Sequence, residues 1–288
     1  MAGELTLPFN VCNVNRVNTV KHIRAINVNN FFITGTGTDI GKTWVTCALL
    51  RHWRAAGRRV RAFKPVLSGF DPATAEASDA GQLLAAMGRT VDAAALDEIA
   101  PWRFAASLSP DMAAAREGRS IDFDALVGFT HRCLPAKQHC LPPKGNPRHA
   151  KPGHTAHVST DFYATLVEGV GGVMVPLDAQ HTVRDWIAAS SLPCILVAGS
   201  YLGSLSHTLT ALESLKKVDT PRVLSRDGLK PTGRAGVTAI VVNESPESSV
   251  SLDDTLATLR CHAGGVPVVA IPRAAAQTGL AELAALLG

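Results

Sequence analysis

Apolar runs and amphipathic stretches alternate along this chain from residue 30 onwards. An apolar run at 30–34 is followed by a loop rich in Gly and Thr, an amphipathic stretch at 42–54 and a second apolar run at 59–64. Short apolar runs are typical of buried strands, whereas apolar residues spaced three or four apart are typical of helices. The pattern therefore predicts a strand, a loop, a helix and a second strand in succession.

The same alternation continues to the end of the chain. Further strands are predicted at 164–168, 194–198, 237–243 and 266–271, and helices near 79–87, 111–117, 123–132, 182–190, 206–217, 252–261 and 278–287. Strands that alternate with helices form parallel sheets whose two faces are covered by the helices. We therefore predict one α/β domain over residues 30–288, with a mostly parallel sheet and helices on both faces.

Three segments depart from this pattern. Residues 1–29 are rich in Asn and Val without a helical or strand period, so we expect an N-terminal extension that is poorly ordered. Segment 133–160 contains five prolines and segment 218–235 contains two prolines and two glycines, and we expect both to be inserted loops. The first of them is also rich in histidine and cysteine, but the spacing fits no compact zinc template, so a disordered basic loop is favoured over a metal site.

Charge and composition narrow the class of protein. The formal net charge of +4 arises in residues 131–158, which hold five basic side chains and no acidic one. Because the remaining surface is nearly neutral, we expect no nucleic-acid partner. No stretch approaches the roughly 18 apolar residues of a membrane helix, so we expect no membrane partner and a cytoplasmic location. Six scattered cysteines in a long chain indicate reduced thiols.

The most informative stretch is 31–43, Phe-Phe-Ile-Thr-Gly-Thr-Gly-Thr-Asp-Ile-Gly-Lys-Thr. A strand leads into a Gly-rich turn and then into a helix start, where free N–H groups and the helix dipole favour a polyphosphate. Lys42 would neutralise charge on the outer phosphates, and the Thr43 hydroxyl is placed to bind Mg²⁺. The predicted ATP-binding residues of the loop are Gly37, Thr38, Asp39, Ile40, Gly41, Lys42 and Thr43.

This loop departs from a strict Walker A motif, because Gly35 lies one residue earlier than the leading glycine of that motif. A tight turn whose glycines serve only backbone geometry is the alternative. It is disfavoured because a turn does not require Lys-Thr at its end. The predicted fold is therefore a single-domain, P-loop NTPase-like α/β fold.

Five sequence blocks occur in the order and approximate spacing of one enzyme family. They are 34–43, Lys64-Pro-Val-Leu-Ser-Gly69, Ser78-Asp-Ala80, Val167-Glu-Gly-Val-Gly-Gly172 and Leu202-Gly-Ser-Leu-Ser-His207. With them the chain resembles dethiobiotin synthetases over roughly residues 30–132 and 161–273. The resemblance implies an ATP- and Mg²⁺-dependent ligase of biotin biosynthesis. Such a homodimeric enzyme closes a ureido ring on 7,8-diaminononanoate with CO₂ and releases ADP and phosphate.

The resemblance also implies a catalytic group made of Lys42, Lys64 and Ser68. Lys64 ends the second predicted strand, and we expect it at a neighbouring strand end beside the phosphate loop, where its ammonium could hold a carbamate and the transferred phosphoryl group. Ser68 could hydrogen-bond the same group. Without the block that follows it, Lys64 could equally be a surface lysine at a strand end.

Asp79 and Glu168 are the predicted Mg²⁺ partners of Thr43, since hard oxygen ligands from separate strand ends suit a metal that bridges phosphates. Asp79 by itself could be an ordinary residue of a helix N-terminus. Glu168 is more specific, because a carboxylate after a buried strand is costly unless a cation or hydrogen-bond donors meet it.

The remaining predicted contacts follow from the resemblance alone. Gly171, Leu202, Gly203 and Ser204 are implied to bind substrate, the last three across a dimer interface, and Asn243 and Pro272 to lie near adenine. An ordinary helix cap is the alternative for the 202–204 element. Two positions depart from the family pattern, because Gly37 stands where aspartate is frequent and Ser206 where asparagine is expected.

Three other functions stay open at this point. A partitioning or septum-positioning ATPase usually carries a second lysine early in its loop, and none occurs around 35–37. An amidating synthetase of the cobyrinate type needs a glutamine-hydrolysing domain, for which the tail after Ile271 is expected to be too short. An inactive relative that only binds ligands is made plausible by the inserted segments.

Overall fold

The computed structural model describes residues 28–134, 163–216, 222–225, 228–231, 236–246 and 248–288. Most of the predicted N-terminal extension and nearly all of the 133–160 segment therefore lie outside the described residues. The strands are β1 Val28–Gly35, β2 Arg59–Phe63, β3 Val66–Ser68, β4 Trp102–Phe104, β5 Tyr163–Glu168, β6 Cys194–Gly199, β7 Arg222–Ser225, β8 Gly228–Pro231, β9 Val237–Asn243 and β10 Val268–Ile271.

The helices are α1 Lys42–Ala55, α2 Asp79–Ala86, α3 Ala93–Ile99, α4 Pro110–Arg116, α5 Phe123–Cys133, α6 Val183–Ser190, α7 Ser204–Lys216, α8 Leu252–His262 and α9 Ala276–Leu287. Short 3-10 turns occupy Pro72–Ala77 and Arg273–Ala275. None of the helices in the described ranges is long and apolar enough to span a membrane.

Six strands form one parallel sheet in the order β10-β9-β6-β1-β5-β2. β1 lies inside the sheet, with β5 on one side and β6 on the other. The carboxyl ends of all six strands therefore meet along one edge, which is where parallel α/β sheets bind ligands. The predicted parallel α/β fold is confirmed.

Side chains of β1 alternate between two apolar cores, one on each face of the sheet. Phe31 and Ile33 belong to the core that also contains Trp53 of α1. Phe32 points to the opposite core, where its ring meets that of Trp186 edge-on at a centroid distance of 4.8 Å. Helices thus cover both faces, as predicted.

Short elements were missed by the hydrophobic pattern. The parallel pair β3–β4 and helix α3 were not predicted, because three-residue strands and a seven-residue helix contain too few positions to show a period. Segment 218–235, predicted as a loop, contains the antiparallel pair β7–β8. β10 begins at Val268 instead of 266, directly after Pro267, which has no N–H for the ladder.

Candidate active site

The phosphate loop connects β1 to α1 in a conformation that requires glycine at its end. Gly41 precedes the helix with φ of 92°, in the left-handed region, and Asp39 also has a positive φ of 56°. A Cβ on Gly41 would collide with the side-chain amide of Asn243, which donates to the Ile40 carbonyl oxygen at 3.1 Å. Asn243, at the end of β9, therefore fixes the backbone of the loop.

Lys42 folds back over this loop. Its Nζ donates to the carbonyl oxygen of Gly37 at 2.6 Å, and the side chain is buried. Burial and, to a smaller extent, the positive charge of Lys64 together lower the pKa of Lys42 to about 8. An anion bound at the loop would raise this pKa again.

Glu168 ends β5 and is completely buried, with 0% of its surface exposed. Its Oε1 accepts hydrogen bonds from the Thr43 hydroxyl at 2.6 Å and from Lys64 Nζ at 2.8 Å. Its Oε2 accepts from the Thr46 hydroxyl at 2.7 Å. A buried carboxylate is tolerated here because both oxygens have donors and one donor is a cation.

Lys64 follows β2 and is only 2% exposed. Its Nζ lies 2.9 Å from Asp79 Oδ2 and donates to the Gly169 carbonyl oxygen at 2.9 Å, in addition to Glu168. Burial alone would lower the pKa of Lys64, but the two carboxylates outweigh burial and raise it. Burial likewise opposes ionisation of Asp79, yet Lys64 holds the pKa of that carboxyl below its usual value.

Lys64 lines the same cavity as the phosphate loop, but it does not follow a strand next to β1. β5 lies between β1 and β2 in the sheet, so the expectation of neighbouring strand ends is wrong. The two lysines are instead linked through Glu168, because β5 joins the sheet between strands that are consecutive along the chain. Strand order of this kind depends on contacts distant in sequence, which local patterns do not reveal.

A cavity of about 780 Å³ opens in front of these groups. The phosphate loop contributes Thr38, Asp39, Gly41, Lys42 and Thr43 to its wall, and Lys64, Ser68, Asp79 and Gly171 complete the set of predicted residues that line it. Its size is typical of a pocket for a small molecule. The arrangement can therefore hold an anionic ligand against two ammonium groups.

Comparisons with known proteins agree with this chemistry. A family model described as an AAA domain matches residues 29–276. An ATP-dependent dethiobiotin synthetase BioD from Acidiphilium cryptum is 42% identical over 241 residues, which cover 83% of this chain and 91% of the relative. Its counterpart from Phenylobacterium zucineum is 42% identical over 247 residues, covering 85% and 89%. The chain belongs to the dethiobiotin synthetase family.

Membership of the dethiobiotin synthetase family confirms the sequence resemblance and sets aside the switch-ATPase and amidating-synthetase hypotheses. Among solved structures, a ParA family ATPase from Chlorobium tepidum is 15% identical with a TM-score of 0.41, covering 91% of this chain and 92% of that one. So remote a likeness has no bearing on function.

Other predicted site residues of this family member lie outside the lining of the cavity. Leu202 is 81% exposed, Gly203 has φ of 94°, and Ser204 is buried at the start of α7. They follow β6, on the side of β1 opposite to Glu168. Pro272 directly follows β10, further along the same edge. The structure therefore brings the phosphate and metal residues together but leaves the 202–204 element apart from them.

One wall of the cavity was missed by sequence reasoning. The loop between β4 and α4 contributes Ser107, Leu108 and Ser109, and α4 contributes its first residue, Pro110. This wall adjoins the end of β3, which pairs with β4. These residues lie within 30–132, over which the chain resembles the family, and that was the signal available. They received no role because β3 and β4, which place the loop, were not predicted.

Proposed function

We propose that this chain is an ATP-dependent dethiobiotin synthetase that makes dethiobiotin from 7,8-diaminononanoate and CO₂ and releases ADP and phosphate. The observation that carries the proposal is the cluster of Lys42, Lys64 and Glu168 at the mouth of a phosphate loop. Family membership supplies the substrate class, and the cluster supplies groups suited to phosphoryl transfer.

The proposed reaction has three stages. CO₂ adds to one amine of the substrate, the resulting carbamate is phosphorylated by ATP, and the second amine displaces phosphate to close the ring. Each stage develops negative charge on oxygen, which a fixed ammonium stabilises without needing to reorganise. Lys42 would hold the phosphates and Lys64 the carbamate, with Ser68 as a further donor.

No protein nucleophile is required by this scheme, and the described cysteines agree with that. Cys47, Cys133 and Cys194 are buried, and burial raises the pKa of each thiol to about 12. Cys261 is exposed but lies in α8, outside the lining of the cavity. Among the described residues, catalysis therefore rests on positioning and charge.

We also propose that Thr43, Asp79 and Glu168 hold Mg²⁺. A hydroxyl and two carboxylates form a hard oxygen donor set, and no described group of three His, Cys, Asp or Glu side chains could hold a metal by itself. A site short of protein ligands suits Mg²⁺, which keeps waters and shares phosphate oxygens. When bound, the ion would neutralise phosphate charge.

The substrate's far carboxylate is proposed to bind outside the single chain. The 202–204 element would receive it from the cavity of a second copy, so that Gly171 and Ser68 line one end of the substrate and a partner subunit the other. Support comes from Leu202, whose apolar side chain is exposed at the start of α7. The proposed assembly is a homodimer, which sedimentation analysis of the full chain can test.

One assay tests the proposed function directly. Purified full-length protein is given ATP, Mg²⁺, bicarbonate and 7,8-diaminononanoate, while phosphate release and ureido product are followed together. We expect both to depend on the diamine. Phosphate release that ignores the diamine would favour a switch ATPase, and the absence of both would favour an inactive relative.

A further inference from the structure

Helix α1 carries a buried threonine that neither the sequence nor the family assigned to the site. Thr46 lies one turn after Lys42, with none of its surface exposed. Its Oγ1 is 2.7 Å from Glu168 Oε2 and 2.9 Å from the Lys42 carbonyl oxygen. A hydroxyl has one proton, and the closer, charged acceptor is the stronger one. Thr46 therefore donates to Glu168.

Other buried helical threonines in the described ranges behave differently. The hydroxyls of Thr130, Thr208 and Thr255 donate to the carbonyl oxygen four residues earlier in their own helices. This back-bonding is the usual choice of a threonine inside a helix. Thr46 thus donates to a carboxylate, whereas its counterparts donate only to the backbone, although the Thr130 hydroxyl also accepts a hydrogen bond from Trp186 Nε1 at 2.9 Å.

The two oxygens of Glu168 have separate tasks in this arrangement. Oε1 meets Thr43 and Lys64, the groups that face the phosphate loop and the cavity, whereas Oε2 meets Thr46 on the inner side. Because Glu168 is fully buried, bulk water cannot reach it to replace the hydrogen bond of a lost donor. The Thr46 hydroxyl therefore fixes the rotation of the carboxylate about its last bond.

We infer that Thr46 is a positioning residue, which anchors Oε2 of Glu168 so that Oε1 is presented to Thr43, Lys64 and a metal–nucleotide ligand. The inference rests on the proposed function, in which Glu168 is a magnesium ligand. Partners that orient a metal ligand alter metal affinity by roughly 10- to 100-fold when they are removed. An effect in that range is expected here.

The test compares Thr46→Val, which keeps the shape and removes the hydroxyl, with Thr46→Ser, which keeps the hydroxyl. Calorimetry gives the Kd of ADP with and without Mg²⁺, and turnover gives the Mg²⁺ concentration for half-maximal rate. We expect Thr46→Val to weaken Mg²⁺-dependent ADP binding roughly 10-fold or more. Binding of ADP without Mg²⁺ should stay within about twofold, and Thr46→Ser should restore most of the loss.

Thr255→Val is the matched control, because it removes a buried helical hydroxyl that donates only to the backbone. It should leave the Mg²⁺ dependence unchanged. A second check is Thr46→Val in a Glu168→Gln background, where the further loss should be small because the two residues act as a unit. If Thr46→Val does not fold, Thr46→Ala is measured instead and should shift Mg²⁺ dependence in the same direction.

Normal Mg²⁺ dependence in Thr46→Val, an equal shift in Thr255→Val, or no rescue by serine would each overturn the inference. Failure of the proposed function is distinguishable from these results. Wild-type protein that forms no ureido product contradicts the function, whereas the ADP-binding comparison needs no product. If the wild type is active and Thr46→Val has normal Mg²⁺ dependence, only the positioning role of Thr46 is contradicted.

Discussion

At the residue scale, the site is built on two opposite charges, Lys64 and Glu168, that are buried together. Lys64 and Glu168 are both almost fully buried, and Nζ of Lys64 has three acceptors while Glu168 has donors on both oxygens. Such a pair adds little net stability compared with an apolar pair, but removing one partner leaves the other charge buried and uncompensated, which is destabilising. The chain keeps the pair in front of the phosphate loop, where a fixed charge can act on a ligand.

Replacing Lys64 by methionine should therefore affect stability as well as activity. We expect the free energy of unfolding to fall by about 3–5 kcal/mol, because Glu168 is left as an uncompensated buried charge. Turnover should fall by roughly 100-fold or more, since one stabilising cation is lost. Urea unfolding and the ureido-product assay measure the two effects.

The double variant Lys64→Met, Glu168→Gln separates these effects. Because it removes both charges, it should recover much of the lost stability while turnover stays at the level of the single variant. Equal stability of the single and double variants would contradict the view that the buried charge causes the destabilisation.

Nucleotide binding should depend on pH through Lys42, whose pKa is lowered to about 8 by burial. Below that value the free protein carries the ammonium that phosphates require, and above it the neutral amine prevails. A bound phosphate raises the pKa of Lys42, so ADP affinity should weaken as pH rises above about 8, by up to roughly tenfold per unit. Calorimetry between pH 7 and 10 checks this, with Lys42→Arg as the variant that does not titrate in that range.

At the scale of elements, the ends of helices place the charges. Ser78 caps α2 by accepting a hydrogen bond from the Gly81 amide at 3.1 Å, and Asp79 is the first residue of that helix. The N-terminal end of a helix favours a carboxylate. The sequence left Asp79 as either a metal ligand or an ordinary helix-start residue, and the structure shows it at a helix start and paired with Lys64 as well.

Removal of this cap should loosen Asp79 along with its helix. We expect Ser78→Ala to lower the free energy of unfolding by about 1 kcal/mol and to raise the Mg²⁺ concentration needed for half-maximal turnover. Ser251→Ala is the matched control, because Ser251 caps α8 in the same way, accepting from the Asp254 amide at 3.0 Å. It should cost similar stability and leave the Mg²⁺ dependence unchanged; a shift in both variants would point to a general loss of rigidity.

At the scale of the whole molecule, β1 ties the two cores to the phosphate loop. Its side chains enter both cores, and the loop leaves from its carboxyl end between the ends of β5 and β6. Phe32 packs on Trp186 and also lies against Gly169, where an added Cβ would come within 2.9 Å of its ring. The packing of Phe32 on this face of the sheet therefore restricts the space available to Gly169, the residue after Glu168.

Truncation of Phe32 should weaken the fold globally. We expect Phe32→Ala to lower the free energy of unfolding by about 3–5 kcal/mol, because a fully buried ring is replaced by a cavity. Phe123→Ala is the comparison, since Phe123 is only partly buried and stacks on His181 at 3.9 Å. It should cost clearly less in the same thermal or urea unfolding series, and equal losses would contradict the central place of Phe32.

The sequence by itself determined the parts that depend on neighbours along the chain. The alternating pattern predicted the parallel α/β fold and helix α1 to within one residue, and Gly41-Lys42-Thr43 after a strand predicted the phosphate loop. Glu168 was also predictable, since a carboxylate that ends a buried strand needs a partner. These features arise from side-chain period, turn chemistry and burial, which local sequence encodes.

The tertiary structure alone decided which groups meet. It placed β5 between β1 and β2, joined Thr46 to Glu168 across 122 residues, and brought residues 107–110 into the cavity wall together with Ser68. It also left the 202–204 element outside the cavity of the single chain. No local pattern carries this information, because strand order and long-range contacts are set by the packing of the whole sheet and its helices.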